Sequence, residues 1–238
     1  MTPPTRLPVV VVIPARDEAQ RIAATIAAAH RLDGVELVVV VDDGSTDATA
    51  TIARTSGAKV VCHPANRGKA AALATGTGVA AEQLAAEHLL LFVDADLGDS
   101  AAALAALVPP VSSGEADMSI AILPPQRAPG GGRGLVVRLA RRGVEDLTGW
   151  VPAQPLSGMR CLNQTAYVAA QPFARGWGVE VGLTVDVLRA GLRVVEVPCE
   201  LHHRVTGSDW RAQLHRARQY RDVGLALAQR RLARATRR

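Results

Sequence analysis

The sequence predicts an α/β fold with a mostly parallel central sheet flanked by helices, and three observations predict it. Val9 to Ile13, Leu37 to Val41 and Leu89 to Val93 are short apolar runs without polar interruption, the pattern of strands buried on both faces. Stretches of helical length alternate with them, which implies right-handed crossovers and helices on both faces of the sheet. Each run ends in a polar turn, Pro14 to Glu18, Asp42 to Asp47 and Asp94-Ala95-Asp96, and such sheets bind ligands beyond the carboxyl ends of their strands.

The elements follow in order. After the first strand, Ile22, Ile26 and Ala29 mark the apolar face of a helix. The Ser/Thr/Asp cluster after the second strand suits the start of a helix over Ala48 to Thr55, which Gly57 closes. Val60-Val61 reads as a third strand, and Asn66-Arg67-Gly68-Lys69 opens a helix to Gly76. After the Leu89 strand, a helix over Ala101 to Val108 is expected to stop at Pro109-Pro110. Asp117 to Leu123 reads as a strand, 124–133 as a proline- and glycine-rich loop, and Gly134 to Leu147 as a basic helix. The turn Gln154-Pro155-Leu156-Ser157-Gly158 precedes a short strand and a helix around Tyr167. Gly176-Trp177-Gly178-Val179-Glu180 opens a helix with Leu183, Val187 and Leu188 inward. The proline in Val194 to Pro198 marks an edge strand or a strand end, and an arginine-rich helix finishes the chain. With no internal repeat or long linker, residues 1–207 are expected to form one domain, with halves at 1–97 and 98–207. Residues 208–238 are expected as a basic helical tail.

Composition narrows the function classes. The 238 residues are 48% hydrophobic and 21% charged, enough to bury a large core. The net charge of +5 is uneven: from Trp210 to Arg238, nine arginines face the single acid Asp222. An anionic membrane surface or an anionic substrate matches that excess, and with 3% aromatic residues and no recognised motif, no nucleic-acid partner is expected. No apolar run approaches the roughly 20 residues of a membrane span, and the N-terminus lacks a signal-peptide pattern. The expected location is cytoplasmic, with peripheral contact at the inner face of a membrane through the tail, and a homodimer is allowed for. Cys62, Cys161 and Cys199 have no metal-ligand spacing and are expected as buried small apolar residues in a reducing compartment.

Several residues carry candidate chemistry. Asp94 and Asp96 would share one side of an extended chain and repel each other unless a cation lies between them; the alternative is a loop with Asp99-Ser100 capping the next helix. Lys69, one of only two lysines, follows a glycine at a helix start, where an anion is favoured. Asp42 and Asp43 either satisfy the Gly44-Ser45-Thr46 turn or face a ligand, and Asp47 is expected to cap. His202 and His203 are adjacent at a strand end, so at most one reaches a given site. Glu180, early in a helix, complements the helix dipole. Neither a Gly-x-Gly-x-x-Gly fingerprint nor a kinase-type phosphate loop follows a strand, which sets dehydrogenase chemistry aside.

Together, Ile13 to Glu18, Val41 to Asp47, Arg67-Gly68-Lys69, Asp94-Ala95-Asp96, Gly130 to Arg133, Gln154 to Gly158, Gly176 to Leu183 and His203-Arg204 resemble, in order and spacing, the nucleotide-sugar-dependent glycosyltransferases of the GT-A fold, specifically family 2 and the related glucosyl-3-phosphoglycerate synthases. The resemblance implies a metal-dependent glycosyltransferase taking a sugar from a nucleoside-diphosphate sugar, UDP-glucose-like. By it, Pro14, Ala15, Arg16, Glu18 and Asp43 line the base and ribose pocket, Lys69 approaches the diphosphate, and Asp94 and Ala95 belong to the nucleotide-sugar site. Asp96 and His203, with Asp94, hold a divalent cation, Mn2+ or Mg2+. Gly132, Arg133, Ser157 and Gly158 are implied as acceptor residues. Asp96 and Glu180 are implied as catalytic, Glu180 as general base in inverting relatives or as a residue orienting the donor sugar in retaining ones.

The acceptor is where the chain departs from the synthases. Their glycine-rich loop continues Gly-Arg-Val-Thr and their histidine is followed by Arg-Asn-Arg, whereas this chain has Gly132-Arg133-Gly134-Leu135 and His203-Arg204-Val205-Thr206. Leucine and valine donate no hydrogen bond to a small dianion, so a larger or more apolar acceptor is expected, polyprenyl phosphate ahead of a small hydroxy acid. Two rival classes stand beside this reading. A sugar-phosphate nucleotidyltransferase would carry a glycine- and arginine-rich loop directly after the first strand, and a non-catalytic nucleotide-sugar binding module would have lost part of the set Asp94, Asp96 and His203.

Overall fold

The computed structural model describes residues 7–84, 86–124, 134–201 and 210–235. One seven-stranded sheet runs through it, made by β1 (Val9–Ala15), β2 (Val35–Asp42), β3 (Lys59–Cys62), β4 (Leu89–Phe92), β5 (Met118–Ile122), β6 (Arg160–Leu162) and β7 (Val194–Pro198) in the order β3-β2-β1-β4-β6-β5-β7. Only β6 runs against the others, pairing antiparallel with β4 and β5. The chain builds outward from β1 to β3 and then returns to place β4 on the other side of β1. That reversal opens a crevice at the carboxyl ends of β1 and β4, where such sheets hold ligands.

Strand periodicity sorts the core into two layers. Val9, Val11 and Ile13 of β1 face the layer of α1 (Ile22–His30) and α2 (Thr49–Thr55), which also holds a 3-10 helix (Gly98–Leu107). Val10 and Val12 face α3 (Lys69–Gln83) on the opposite side. All of these β1 positions are completely buried, each contributing about 1.5–3 kcal/mol by leaving water.

Three expectations are corrected here. The helix expected over Ala101–Val108 is 3-10 to Leu107, and Pro109-Pro110 lie at the start of the following α4 (Val108–Ser112), because a helix's first turn needs no backbone donor. The helix expected to end at Gly76 runs on to Gln83, kept together by the buried stripe Ala70, Leu73, Thr77 and Ala80. Cys161 and Cys199 are buried as expected, but Cys62 is exposed because it ends the edge strand β3.

The second half of the chain adds α5 (Leu135–Thr148), α6 (Gln164–Ala169), a 3-10 turn (Gly176–Gly178), α7 (Val179–Arg189) and α8 (Trp210–Ala235). The last of these, read from sequence as a basic tail, packs into the domain. Val223 and Leu227 join Ala140, Val144, Val181 and Val185 in a third apolar cluster between α5, α7 and α8. Arg230 lies on the same buried face and pairs with Asp186 of α7. Its charge, set among the helix's outward arginines, hides the inward spacing of 223, 226, 227 and 230. The seam is tight: a methyl group on Gly178 would stand 2.6 Å from the Ala226 Cβ and 2.8 Å from the Asp222 carbonyl oxygen. Gly178→Ala is therefore expected to destabilise the protein by about 1–3 kcal/mol through overpacking. Gly224→Ala, mid-helix with open space around its Cβ position, is expected to stabilise it by about 0.5–1 kcal/mol. Denaturant unfolding curves of the two variants check both signs.

Candidate active site

The turns after β1 and β2 are laced together by side chains. Asp17, with φ at +53°, accepts from the Thr46 backbone N–H at 2.7 Å, while its own N–H donates to Ser45 Oγ at 2.9 Å. Asp42 accepts from the Ser45 N–H at 2.9 Å, so it satisfies its own turn. Asp47 accepts from the N–H groups of Ala19 and Thr49, the latter opening α2. Glu18 lies in the turn before α1, where its N–H donates to Thr49 Oγ1 and its carbonyl accepts from Arg21 and Ile22.

Asp43 does something different from its neighbour. Its Oδ1 accepts from the Arg67 N–H at 2.8 Å and from His63 Nδ1 at 2.7 Å, and its Oδ2 accepts from the Gly68 N–H at 2.7 Å. The loop that presents Lys69 is thus hung from this one carboxylate. Burial raises its pKa, but the hydrogen bonds from His63, Arg67 and Gly68 outweigh that and hold it below the usual carboxylate range.

Pro14, Ala15, Arg16, Asp43, Lys69 and Asp94 line a single cavity of about 310 Å³, closed by Gly176 and Trp177 of the 3-10 turn. Lys69 is its central charge. Its Nζ lies 2.7 Å from Asp94 Oδ1 and 3.1 Å from Glu180 Oε1. Burial pulls the ammonium pKa down, yet Asp94 and then Glu180 push harder the other way, and the net shift is upward. Glu180 itself is buried in the first turn of α7.

A second cavity of about 460 Å³ meets the first at Asp94 and is lined by Ser157, Gly158 and the apolar Leu123, Val137, Leu156 and Met159. Gly158 permits this junction: a Cβ there would lie 2.2 Å from Lys69 Nζ and 3.1 Å from Asp94 Oδ1. Ala95 is buried, and its carbonyl accepts from Thr25 Oγ1 at 2.9 Å, which ties the loop after β4 to α1. Asp96 is partly exposed on that loop, its carbonyl accepting from Arg21. Among the described residues no three metal-ligating side chains cluster; Gly132, Arg133 and His203 lie outside the described residues.

Sequence reasoning passed over His63, Trp177 and Arg160. Arg160 had a visible signal, a lone charge in the apolar run Met159 to Leu162, and it is completely buried. His63 gave none beyond following a short strand. Because the folded pKa of Asp43 is depressed, its contribution to stability is present above the unfolded value and is lost as pH falls below about 4. The stability gap between the protein and Asp43→Asn should shrink from pH 7 to pH 3 in urea unfolding; parallel curves would contradict the hydrogen-bond account.

Residues 10–155 match the model of glycosyl transferase family 2. The chain is similar to the glycosyltransferase AglJ of Haloferax volcanii, 27% identical over 87% of this chain and 67% of that one. It is also similar to the glucosyl-3-phosphoglycerate synthase of Mycobacterium tuberculosis, 32% identical over 78% of this chain, and spans 62% of the synthase's length. The crystal structure of that synthase with Mn2+, uridine diphosphate and glucosyl-3-phosphoglycerate superposes with a TM-score of 0.75 at 29% identity, covering 95% of this chain and 80% of that one. With most of its length matched by the family model and its sheet shared with that structure, the chain belongs to glycosyl transferase family 2 and has the GT-A fold.

Proposed function

We propose that this glycosyltransferase moves a sugar from a UDP-sugar, UDP-glucose-like, bound in the cavity around Lys69 to an acceptor bound in the adjoining apolar cavity. The observation that carries the reading is that Asp94 borders both cavities while Lys69 joins it to Glu180. A reacting bond placed there has a cation on its diphosphate side and a carboxylate on its sugar side. Base and ribose lie against Pro14, Ala15, Arg16 and Asp43, with Trp177 as the facing wall. Lys69 binds the diphosphate, where negative charge grows as the sugar bond breaks.

The residues at the end of β4 fit a divalent cation. Asp94 and Asp96 offer oxygen ligands within one loop, and with the imidazole of His203 they make a mixed set that suits Mn2+, with Mg2+ as substitute. Such an ion supplies Lewis-acid neutralisation of the leaving diphosphate. Glu180 acts on the sugar side, either as base toward the acceptor or in orienting the donor. The anomeric configuration of the product separates the two.

The apolar lining of the second cavity supports a lipid-linked phosphate acceptor over phosphoglycerate. α5, whose Val137 lines this cavity, exposes Leu135 and Val137 beside Arg138 and Arg142, and α8, packed on α5, exposes Leu225 and Leu232 beside Arg218 and Arg221. An anionic leaflet is the surface that such a mixture fits. No helix among the described residues is long and apolar enough to cross a membrane.

UDP is expected to raise the melting temperature more with Mn2+ than with EDTA, and Asp94→Ala and Asp96→Ala are each expected to remove that difference. Equal shifts in the unsubstituted protein would sink the metal-bridged diphosphate. A panel of sugar nucleotides assayed with Mn2+ for slow hydrolysis names the donor. For the membrane, the combined variant Arg138→Glu, Arg142→Glu, Arg218→Glu should lose sedimentation with vesicles rich in phosphatidylglycerol. Retained sedimentation would remove that surface from the proposal.

A further inference from the structure

Arg160 opens β6, opposite Phe92 of β4 and Ile120 of β5, and is completely buried. A guanidinium so placed is costly unless its charge and its donors are matched. Nε donates to the Ser157 carbonyl at 3.0 Å and Nη1 to Thr184 Oγ1 at 2.8 Å. Nη2 is buried with no hydrogen-bond partner, and so is the hydroxyl of Ser157 on the same turn. A buried donor left unmatched is destabilising, so its retention needs a reason.

No carboxylate among the described residues makes an ion pair with Arg160. Burial pulls its pKa down to about 10, against Glu180 and then Glu196, and it stays charged at neutral pH. Glu196 is committed elsewhere, to the N–H groups of Ala153 and Gln154. Glu180 is not. Thr184 Oγ1, which accepts from Arg160, donates in turn to the Glu180 carbonyl at 3.0 Å, so guanidinium and glutamate share one connection through the first turn of α7.

Glu180 now has Lys69 as its contact cation, and Lys69 serves Asp94 as well. A donor diphosphate draws Lys69 to itself. Glu180 would then stand buried without its counter-ion at the moment the sugar reacts. We propose that Arg160 is a positioning residue, the fixed cation that holds Glu180 in its charged, inward orientation once Lys69 turns to the diphosphate. Its unmatched Nη2 is the donor held in reserve for that state. The inference rests on the role given above to Glu180, and it assigns the task to a residue that touches neither substrate nor metal.

The test uses the full chain with UDP-glucose and Mn2+, reading hydrolysis without acceptor, together with the melting shift caused by UDP and Mn2+. Arg160→Met is expected to lower kcat by about 10- to 100-fold, to leave KM within about threefold, and to keep the melting shift. Arg160→Lys should recover most of the loss. In the Glu180→Gln background, adding Arg160→Met should change kcat by no more than about threefold, because the two act as a unit. Multiplying losses in the double variant, a lost melting shift or failure of the lysine to rescue would overturn the proposal. Should Arg160→Met not fold, Thr184→Val, which cuts the link and leaves the charge, must show a loss that vanishes in the Glu180→Gln background; a persisting loss overturns it. Full turnover by Glu180→Gln would instead strike down the role of Glu180 itself, an outcome distinct from those in which Glu180→Gln is slow and Arg160 proves independent of it.

Discussion

One half-buried ammonium group, Lys69, holds the two halves of the site together. Asp94 reaches it from the end of β4 and Glu180 from the start of α7, positions 86 residues apart in sequence. Without that cation the two carboxylates would be left close together with no opposite charge between them and repel. The ion pairs are not there chiefly for stability, since the desolvation of three charged groups offsets much of their attraction. They keep the site assembled in the absence of ligand, and every loop around it is arranged to hold Lys69 where both acids can reach it. Asp43 fixes the Arg67-Gly68 turn just before it, and Gly158 leaves the room its Nζ occupies.

The antiparallel β6 is what brings the second cavity to this point. Inserted between β4 and β5, it sets Arg160 beside Phe92, so the turn at Ser157-Gly158 arrives over the loop that begins at Asp94. A further parallel strand would enter from the opposite edge of the sheet and could not deliver a turn to the carboxyl end of β4 in so few residues. α8 completes the enclosure from outside. Asp222 accepts from the N–H of Trp177, and the close seam at Gly178 fixes the 3-10 turn that walls the nucleotide cavity and leads into Glu180.

The parts of the fold legible in the sequence were those written in short, local patterns. The apolar runs of β1, β2 and β4 carry the period of buried strands, and their acidic endings named Asp43, Asp94 and, through the adjoining loop, Lys69. Glu180 was visible from its place after Gly176-Trp177-Gly178. What stayed hidden depends on contacts made far along the chain. The apolar face of α8 spans four inward positions, one of them an arginine whose partner Asp186 lies 44 residues away, so composition makes the helix look solvated. Asp42 and Asp43 are adjacent and chemically identical, and only the fold shows that one closes its own turn while the other reaches 25 residues ahead to Gly68. Pro109-Pro110 reads as a stop because sequence alone does not say that a 3-10 segment ends just before it.

The two cavities differ in the charged side chains they carry, and on the reading proposed above that difference limits where the chemistry lies. The first has Arg16, Asp43, Lys69 and Asp94 among the apolar Pro14, Ala15 and Trp177, while the second has Leu123, Val137, Leu156 and Met159 with Asp94 at its edge. A charged leaving group is stabilised only on the first side, and an apolar chain loses contact with water only on the second. On the function proposed above, the reacting carbon would lie at their shared border, beside Asp94 and Gly158. There the absence of a side chain at position 158 lets donor and acceptor approach without an intervening group. Lys69 touches the Glu180 carboxylate and Arg160 is tied to the Glu180 backbone through Thr184, the arrangement that the proposed exchange of counter-ions requires.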